Sequence, residues 1–232
     1  MNKVFIIAEA GHNGNGNMRL NKLMIKEAKK CGADAVKFQL YDIDKIKSPW
    51  QSRYFELKFA QLTKEDVVEL KAYADKIGIE FMASAFDPEK VQWLEDIGVK
   101  RHKIASRSIN DPDVIKAMER TGKPIIASLG AWQQDKLPKI KNAEFLFCVS
   151  EYPAYITNET FPVKFDKLAG FSDHTIGCYW AREAVKRGAT IIEKHFTLCH
   201  ELPGFNQRGS AEPWEFKDMI TYIRQAERGI QY

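Results

Sequence analysis

Two histidines, His174 and His195, have the positions and neighbours expected of a pair of metal ligands. Each closes a short apolar run with strand character, and a helix-like segment at 177–187 separates the two runs. Strands joined in this way lie parallel, so both imidazoles are expected at the same strand ends. Each histidine also has a carboxylate beside it, Asp173 and Glu193 respectively. Because imidazole and carboxylate groups bind divalent metals, this pattern favours a metal site over two imidazoles that only bond backbone at their strand ends.

Two lysines interrupt other apolar runs, Lys37 in 35–40 and Lys103 in 103–106. Polar groups in such runs are costly to bury unless they have partners, which favours a shared polar pocket. Two inward-facing lysines accompanied by hydroxyls suit a phosphate or a carboxylate. A desolvated lysine can instead form a Schiff base with a keto acid, as in a class I lyase. The other polar residues at the strand ends are Glu9, Gln39, Ser84, Ser106, Ser128, Ser150, Glu151 and Ser172.

The elements that must position these residues alternate between strand and helix along the whole chain. The predicted strands are 4–10, 35–40, 79–84, 103–106, 124–129, 144–150, 169–173 and 190–196. The predicted helices are 18–31, 64–77 with Thr63 as its N-cap, 88–97, 111–121, 177–187 and 214–228, with a stub at 162–168 and a poor helical pattern at 130–142. Eight such units predict an α/β fold, a (β/α)8 TIM barrel forming one domain over residues 1–232. A doubly wound sheet is disfavoured because the loop at 11–16 lacks GxGxxG spacing. In a barrel, the polar strand ends form one rim.

Composition excludes several classes of protein. The chain has 232 residues, of which 44% are hydrophobic and 28% are charged, and a net charge of +4. Because no basic run is interleaved with aromatic residues, no nucleic-acid partner is expected. No apolar stretch reaches membrane-spanning length, so no membrane association is expected either. The four cysteines are scattered and form no CxxC motif, which suits a reducing, cytoplasmic location.

Several segments closely resemble the N-acetylneuraminate (sialic acid) synthase family, in the same order and at the same spacing. They are 7–11 (IAEAG), 32–39 (GADAVKFQ), 103–106 (KIAS), 121–128 (TGKPIIAS), 150–153 (SEYP), 170–177 (GFSDHTIG), 188–198 (GATIIEKHFTL) and 202–204 (LPG). The resemblance implies a (β/α)8 barrel that condenses phosphoenolpyruvate with an N-acyl hexosamine-like aldose, such as N-acetylmannosamine. The products would be a nonulosonic acid and phosphate, and the cofactor would be a divalent metal, Mn²⁺ or Mg²⁺.

The resemblance also implies a role for each candidate residue. The metal ligands would be His174 and His195. The phosphoenolpyruvate site would comprise Lys37, Ser84, Lys103, Ser106, Ser128 and Ser172. The catalytic carboxylates would be Glu9, Glu193 and Asp173. The sugar would contact Gln39, Tyr152, Arg107 and Asn206.

The departures from the family pattern fall on the sugar side. Arg107 stands where the family has glycine before a carboxylate, and Asn206 stands where it has aspartate. The family's loop histidine is absent from its usual place, with His12 nearby. Arg107 predicts either an acceptor with its own negative charge or an internal ion pair that closes the old pocket. A non-catalytic relative that binds a metal and an anion is therefore an alternative to the synthase.

Length is the other departure. Bacterial members of the family usually continue into an antifreeze-like C-terminal domain that acts across a dimer. This sequence ends at residue 232, just after the eighth predicted helix. We therefore expect either a short form of the family or a separate chain that supplies the missing part, with a homodimer as the candidate assembly.

Overall fold

Eight parallel strands close into a barrel in chain order in the computed structural model, which describes residues 3–230. The strands are β1 (Phe5–Gly11), β2 (Ala35–Leu40), β3 (Glu80–Ala85), β4 (His102–Ile104), β5 (Ile125–Ser128), β6 (Ala143–Cys148), β7 (Gly170–Asp173) and β8 (Ile191–His195). Each strand pairs with the next, and β8 pairs with β1 to complete the ring. The predicted (β/α)8 barrel is confirmed, and each predicted strand is found within a few residues of its expected bounds.

The helices pack outside the barrel and connect its strands. They are α1 (Met18–Cys31), α2 (Ile43–Ile46), α3 (Tyr54–Ala60), α4 (Lys64–Ile77), α5 (Pro88–Asp96), α6 (Pro112–Arg120), α7 (Tyr179–Lys186) and α8 (Pro213–Glu227). The short helices α2 and α3 lie between β2 and β3, where the sequence predicts no helix before residue 64. No helix in the described part of the chain is long and apolar enough to cross a membrane.

A capping box starts α4 where the sequence predicted it. The Thr63 hydroxyl accepts a hydrogen bond from the Asp66 backbone N–H at 3.1 Å, and the Asp66 carboxylate accepts one from the Thr63 N–H at 2.9 Å. Two backbone donors that the first helical turn cannot satisfy are thereby paired. This local chemistry explains why the predicted start of the helix agrees with the structure.

The strands β5 and β6 are not followed by helices. The poor pattern at 130–142 does form irregular structure, but the stub helix predicted at 162–168 is wrong. Buried aromatic rings anchor this segment instead: Phe161 lies 5.1 Å from Phe171 and 5.7 Å from Phe165 between ring centroids. The Phe165 N–H also donates to the Arg187 carbonyl at 2.9 Å, so tertiary contacts take the place of helical hydrogen bonds.

The barrel interior is apolar at its amino-terminal end and polar at its carboxyl-terminal end. The lower part is filled by a separate hydrophobic cluster of Ile7, Ala35, Met82, Ile126, Leu146 and Ile191. Side chains alternate between the two faces of a strand, so the residue two positions further along faces the same interior. In β1, β2 and β8 those next inward positions are Glu9, Lys37 and Glu193. An apolar floor thus supports a ring of ionisable groups.

Candidate active site

Most of the predicted site residues meet in one buried chamber at the carboxyl ends of the strands. Those that line it are Glu9, Lys37, Gln39, Lys103, Ser106, Ser128, Tyr152, Ser172, His174, Glu193 and His195, together with Ala105 and Cys148. Ser84 lies behind Lys37 and accepts a hydrogen bond from its ammonium group at 3.0 Å. The free volume of the chamber is only about 30 Å³. An organic ligand must therefore displace some of the side-chain contacts that now fill it.

A lysine between two glutamates forms the centre of the chamber. The Lys37 Nζ lies 2.5 Å from Glu9 Oε2 and 3.6 Å from Glu193 Oε2, and all three side chains are buried. Gln39 Nε2 donates to Glu9 Oε1 at 2.9 Å, which fixes the orientation of that carboxylate. Parallel register brings these groups together, because Glu9 pairs with Lys37 of β2 and with His195 of β8.

The second lysine, Lys103, lies near the other carboxylate oxygen of Glu193. Its Nζ donates to Ser128 Oγ at 2.7 Å and to the Ile104 carbonyl at 3.1 Å, and it lies 3.5 Å from Glu193 Oε1. Ser172 Oγ donates to that same oxygen at 2.9 Å. Glu193 is thus shared between two cations, and its Oε2 has no hydrogen-bonding partner among the described residues.

The environment separates the acidities of the two glutamates. Burial raises the pKa of Glu9, and the neighbouring charge of Glu193 adds to that effect although Lys37 opposes it. Burial would also raise the pKa of Glu193, but Lys103 and Lys37 together hold it below its usual range. Two carboxyl groups whose pKa values diverge can divide the roles of proton donor and acceptor.

The pKa values of the two lysines also shift in opposite directions. Burial would lower the pKa of Lys37, but its contacts with Glu193 and Glu9 outweigh burial and raise it. Burial dominates at Lys103 and lowers the pKa of that ammonium group, despite the attraction of Glu193. Lys37 is therefore a firmly charged group, whereas Lys103 is the lysine closer to a neutral, nucleophilic form.

The two histidines form one wall of the chamber, with ring centroids 5.5 Å apart. His174 Nδ1 lies 2.7 Å from the Val149 carbonyl, which requires the proton on that nitrogen. His174 Nε2 therefore accepts a hydrogen bond from the Tyr152 hydroxyl at 2.9 Å. Burial lowers the pKa of His174 to about 4 and holds that of His195 well below its ordinary value, so both imidazoles are neutral near pH 7.

Neutral, buried imidazoles are suited to hold a divalent metal. His195 Nδ1 is buried without any hydrogen-bonding partner in the described chain, and His174 Nε2 faces the chamber. The described residues contain no cluster of three or more His, Cys, Asp or Glu side chains arranged around a metal position. The donor set therefore fits a cation that takes two ligands from the protein and the others from water or substrate.

Asp173 is the predicted catalytic residue that the structure does not bring into the chamber. It follows Ser172 in β7 and so lies on the outer face of the barrel, where Lys194 Nζ is 3.2 Å from its Oδ2. Its Oδ1 accepts hydrogen bonds from the Thr175 N–H at 2.8 Å and from the Thr175 hydroxyl at 2.7 Å. The prediction of a catalytic role is therefore not supported by its placement, because the alternation along a strand sends neighbouring side chains to opposite faces.

Sequence reasoning missed Cys148 as a residue of the chamber. Its side chain faces the chamber, and its Sγ lies 3.8 Å from His174 Nε2. Burial raises the pKa of the thiol to about 12, so it is protonated. The alternation of β6 was the available signal, since Leu146 two residues earlier faces the barrel interior.

A second cavity of about 330 Å³ opens from the chamber on the side of β2 and β4. We call it the outer cavity; Gln39, Ala105, Ser106 and Tyr152 line both it and the chamber. The remaining residues around it are His12, Tyr41, Ile43, Ile46, Lys47, Arg53, Leu57, Phe86, Arg107, Ser150, Phe205 and Asn206. The predicted sugar-site residues Arg107 and Asn206 thus lie here, and His12 reaches the same rim.

Contacts between two loops close one side of the outer cavity. Arg53 lies 3.2 Å from the Glu56 carboxylate, and its guanidinium stacks over the Phe205 ring at 4.1 Å. Glu56 in turn accepts a hydrogen bond from the Phe205 N–H at 3.1 Å. A third cavity of about 200 Å³ lies beyond Phe205 and is also lined by Tyr152, His174, His195 and Arg208. Tyr152 borders all three spaces.

Comparison with known proteins shows the family to which the chain belongs. The model of the NeuB family matches residues 24–231. The chain is 39% identical over 240 residues to an uncharacterized protein of Methanocaldococcus jannaschii, covering 97% of this chain and 71% of that one. It is 36% identical to the N,N'-diacetyllegionaminic acid synthase of Legionella pneumophila, covering 96% and 72% of the two chains.

Solved structures agree with the sequence comparison. The crystal structure of N-acetylneuraminic acid synthetase from Leptospira borgpetersenii superposes with a TM-score of 0.89 at 30% identity, covering 100% of this chain and 86% of that one. A truncated 3-deoxy-D-arabino-heptulosonate 7-phosphate synthase from Thermotoga maritima gives a TM-score of 0.73 at 13% identity, covering 98% and 87% of the two chains, which shows the shared fold alone.

Proposed function

Because the chain belongs to the NeuB family, we propose that it is a synthase that condenses phosphoenolpyruvate with an N-acyl hexosamine-like aldose such as N-acetylmannosamine. The products are inorganic phosphate and a nonulosonic acid. The observation that carries the proposal is the convergence of two lysines, two glutamates and two neutral histidines in one chamber. The names of two relatives, N,N'-diacetyllegionaminic acid synthase and pseudaminic acid synthase, support it.

The charge balance of the chamber explains how it takes a trianion. Lys37 and Lys103 would bind the phosphate and carboxylate groups, helped by the hydroxyls of Ser84, Ser128 and Ser172. The two lysines are already balanced by Glu9 and Glu193. Extra positive charge is therefore needed when the substrate enters, and a protonated Glu9 and a divalent cation would provide it.

We propose that His174 and His195 hold this cation, Mn²⁺ or Mg²⁺. The unpartnered Nδ1 of His195, the Nε2 of His174 that accepts from the Tyr152 hydroxyl, and the neutral state of both rings fit the role. A divalent cation held there polarises the carbonyl of the acceptor as a Lewis acid. The Tyr152 hydroxyl now bonded to His174 Nε2 would turn towards the acceptor instead. The aldose would enter from the outer cavity, past Tyr152 and Gln39.

The proposed reaction forms one C–C bond and releases phosphate, with the two glutamates moving protons. Carbon C3 of the enol attacks the aldehyde carbon of the acceptor, and a water oxygen adds to C2. The C2–O bond to phosphate breaks, which leaves a keto acid and inorganic phosphate. Glu193, the carboxylate with the lower pKa, would accept the proton of the water, and Glu9, with the higher pKa, would donate one to the forming hydroxyl. Holding both substrates in one site supplies much of the rate.

The test is phosphate release from phosphoenolpyruvate in the presence of Mn²⁺ and a panel of N-acyl hexosamines and other aldoses. We expect turnover with at least one aldose, loss of turnover with a chelator, and loss of at least about 1,000-fold in kcat for His174→Asn and His195→Asn. His200→Asn is the matched control, because His200 lines none of the three cavities. Full activity of His174→Asn with the metal chelated would refute the metal site.

Two alternative functions predict different results in binding, turnover and labelling assays. A non-catalytic binding protein would bind phosphoenolpyruvate and metal but release no phosphate with any aldose. A class I lyase would form a Schiff base, for which Lys103 is the better candidate because its pKa is lowered. Borohydride reduction with pyruvate would then label that lysine, and we expect no labelling.

The proposed partners are these small molecules. A homodimer and a cytoplasmic location remain predictions, the latter supported by four free cysteines. Size-exclusion chromatography with light scattering measures the first.

A further inference from the structure

The outer cavity has an unusual balance of charge for a sugar site. Three basic side chains line it, Lys47, Arg53 and Arg107, and none of the described residues around it is Asp or Glu. The wall also carries the neutral polar side chains of Gln39, Ser106, Ser150 and Asn206, so it is the charged groups, and not the hydrogen-bonding groups as a whole, that are one-sided. The cavity is therefore matched to a ligand that is negatively charged.

Two of these three cations have no hydrogen-bonding or ion-pair partner among the described residues. Arg53 is neutralised by Glu56, at 3.2 Å. The side chains of Lys47 and Arg107, in contrast, form no ion pair or hydrogen bond with any residue between 3 and 230. The Arg107 guanidinium lies over the Phe86 ring, 5.0 Å from its centroid, a contact that orients the group while leaving its N–H donors free.

The alternative for Arg107, an internal ion pair that closes the old pocket, is thus not what the structure shows. The cavity beside it is open, at about 330 Å³, which lies in the size range of small-molecule sites. Its inner end meets the chamber at Gln39, Ser106 and Tyr152. A ligand with its carbonyl at that inner end would place its far end among the basic side chains.

We propose that the acceptor is an anionic aldose, carrying a phosphate or a carboxylate at the end remote from its carbonyl, and that Arg107 and Lys47 bind that anion. This inference rests on the proposed function for the position of the carbonyl end. The geometry supports both anions, because a guanidinium binds either through two parallel hydrogen bonds. Arg53 and Phe205 form the cover of the same space.

The experiment uses ligands that bind but cannot condense. Reduction of N-acetylmannosamine 6-phosphate gives an alditol that has no aldehyde, and the same alditol without phosphate is its neutral partner. Calorimetric titration of the full chain, with and without phosphoenolpyruvate and Mn²⁺, should show the phosphorylated alditol binding at least about 10-fold more tightly. The analogous alditol with a carboxylate at C6 distinguishes the two anions by its relative affinity.

Variants then locate the anion. Arg107→Ala and Lys47→Ala should each reduce the advantage of the phosphorylated alditol by at least about 5-fold. Each substitution should alter the affinity for the neutral alditol by less than about 2-fold relative to the wild type. Lys45→Ala is the matched control, because it removes the same charge two residues away but outside the outer cavity. It should leave the advantage unchanged.

Equal affinities for the charged and neutral alditols would overturn the proposal, and so would an advantage that survives both substitutions. Arg107 is exposed, so its substitution should not unfold the protein, and a thermal melt checks this. If no aldose releases phosphate from phosphoenolpyruvate, the proposed function fails on its own. The alditol titration still gives its answer in that case, because it requires no turnover.

Discussion

Strands β7 and β8 bury a lysine–carboxylate contact on each of their two faces. On the inner face, Glu193 lies between Lys37 and Lys103, at 3.6 and 3.5 Å. On the outer face, Asp173 lies 3.2 Å from Lys194, and both side chains are completely buried. The adjacent residues Glu193 and Lys194 of β8 thus take part in contacts of the same chemical type on opposite faces, with the inner lysines supplied by β2 and β4.

The two faces differ in whether the buried charges border a cavity. On the outer face, Asp173 Oδ1 accepts two hydrogen bonds from Thr175, and Lys194 donates to the Thr175 carbonyl. Asp173 Oδ2 and Glu193 Oε2 both lack a hydrogen-bonding partner among the described residues, but of these two carboxylates only Glu193 lines the chamber. Burial, charge and incomplete hydrogen bonding therefore do not distinguish a functional carboxylate from a structural one, whereas contact with the chamber does.

Removing the outer carboxylate should give the largest effect. Asp173→Ala leaves Lys194 buried without its partner, and we expect a loss of about 3–5 kcal/mol in the free energy of unfolding, measured by urea denaturation. Asp218→Ala is the control, because it breaks an exposed ion pair with Arg182 and should cost at most about 1 kcal/mol. A stable Asp173→Ala protein that has lost only its activity would restore Asp173 to the catalytic residues.

A matched pair of lysine substitutions sharpens the comparison. Lys103→Ala should weaken phosphoenolpyruvate binding by about 2–4 kcal/mol, because it truncates a buried charged contact to the ligand. Lys194→Ala should instead lower stability, and its folded fraction should bind phosphoenolpyruvate with little change. Calorimetric titration and urea denaturation of both variants separate the two effects. An unchanged affinity in Lys103→Ala would remove that lysine from the site.

The contrast between the faces also shows how far sequence can predict a site. The alternation of strands and the positions of polar residues at their ends were sufficient to gather Lys37, Lys103 and Glu193 in one chamber. The catalytic role that the resemblance implies for Asp173 conflicts with the alternation of side chains along β7. Since Ser172 faces inward, its neighbour in an extended strand must face outward.

The outer cavity was less predictable for a different reason. Lys47 and Arg53 come from the connection between β2 and β3, where the short helices α2 and α3 fix their positions. No periodicity in 41–62 indicates those helices, and the contact of Arg53 with Phe205 joins residues far apart in sequence. Tertiary contacts of this kind leave no local signal, so Lys47 and Arg53 were not predicted from sequence, whereas Gln39, Tyr152, Arg107 and Asn206 were.

The smallest predicted effect concerns pH and again separates the faces. Burial lowers the pKa of His174 to about 4 in the folded protein, from an ordinary value of 6.5. The unfolded chain therefore binds more protons between these values, so the stabilising contribution is complete above about pH 6.5 and is lost as the pH falls towards 4. At about pH 5 the free energy of unfolding of the wild type should be lower by about 2 kcal/mol because of this histidine.

The inner face is thus expected to make the protein acid-sensitive, and a substitution can test that directly. In urea denaturation with a chelator present, the loss of stability between about pH 7.5 and about pH 5 should be smaller by about 2 kcal/mol for His174→Asn than for the wild type. His200→Asn is the control for loss of a histidine outside the three cavities. An identical pH dependence for His174→Asn would mean that the imidazole is protonated as easily in the folded protein as in the unfolded chain. The neutral metal-ligand wall inferred for the inner face would then be wrong.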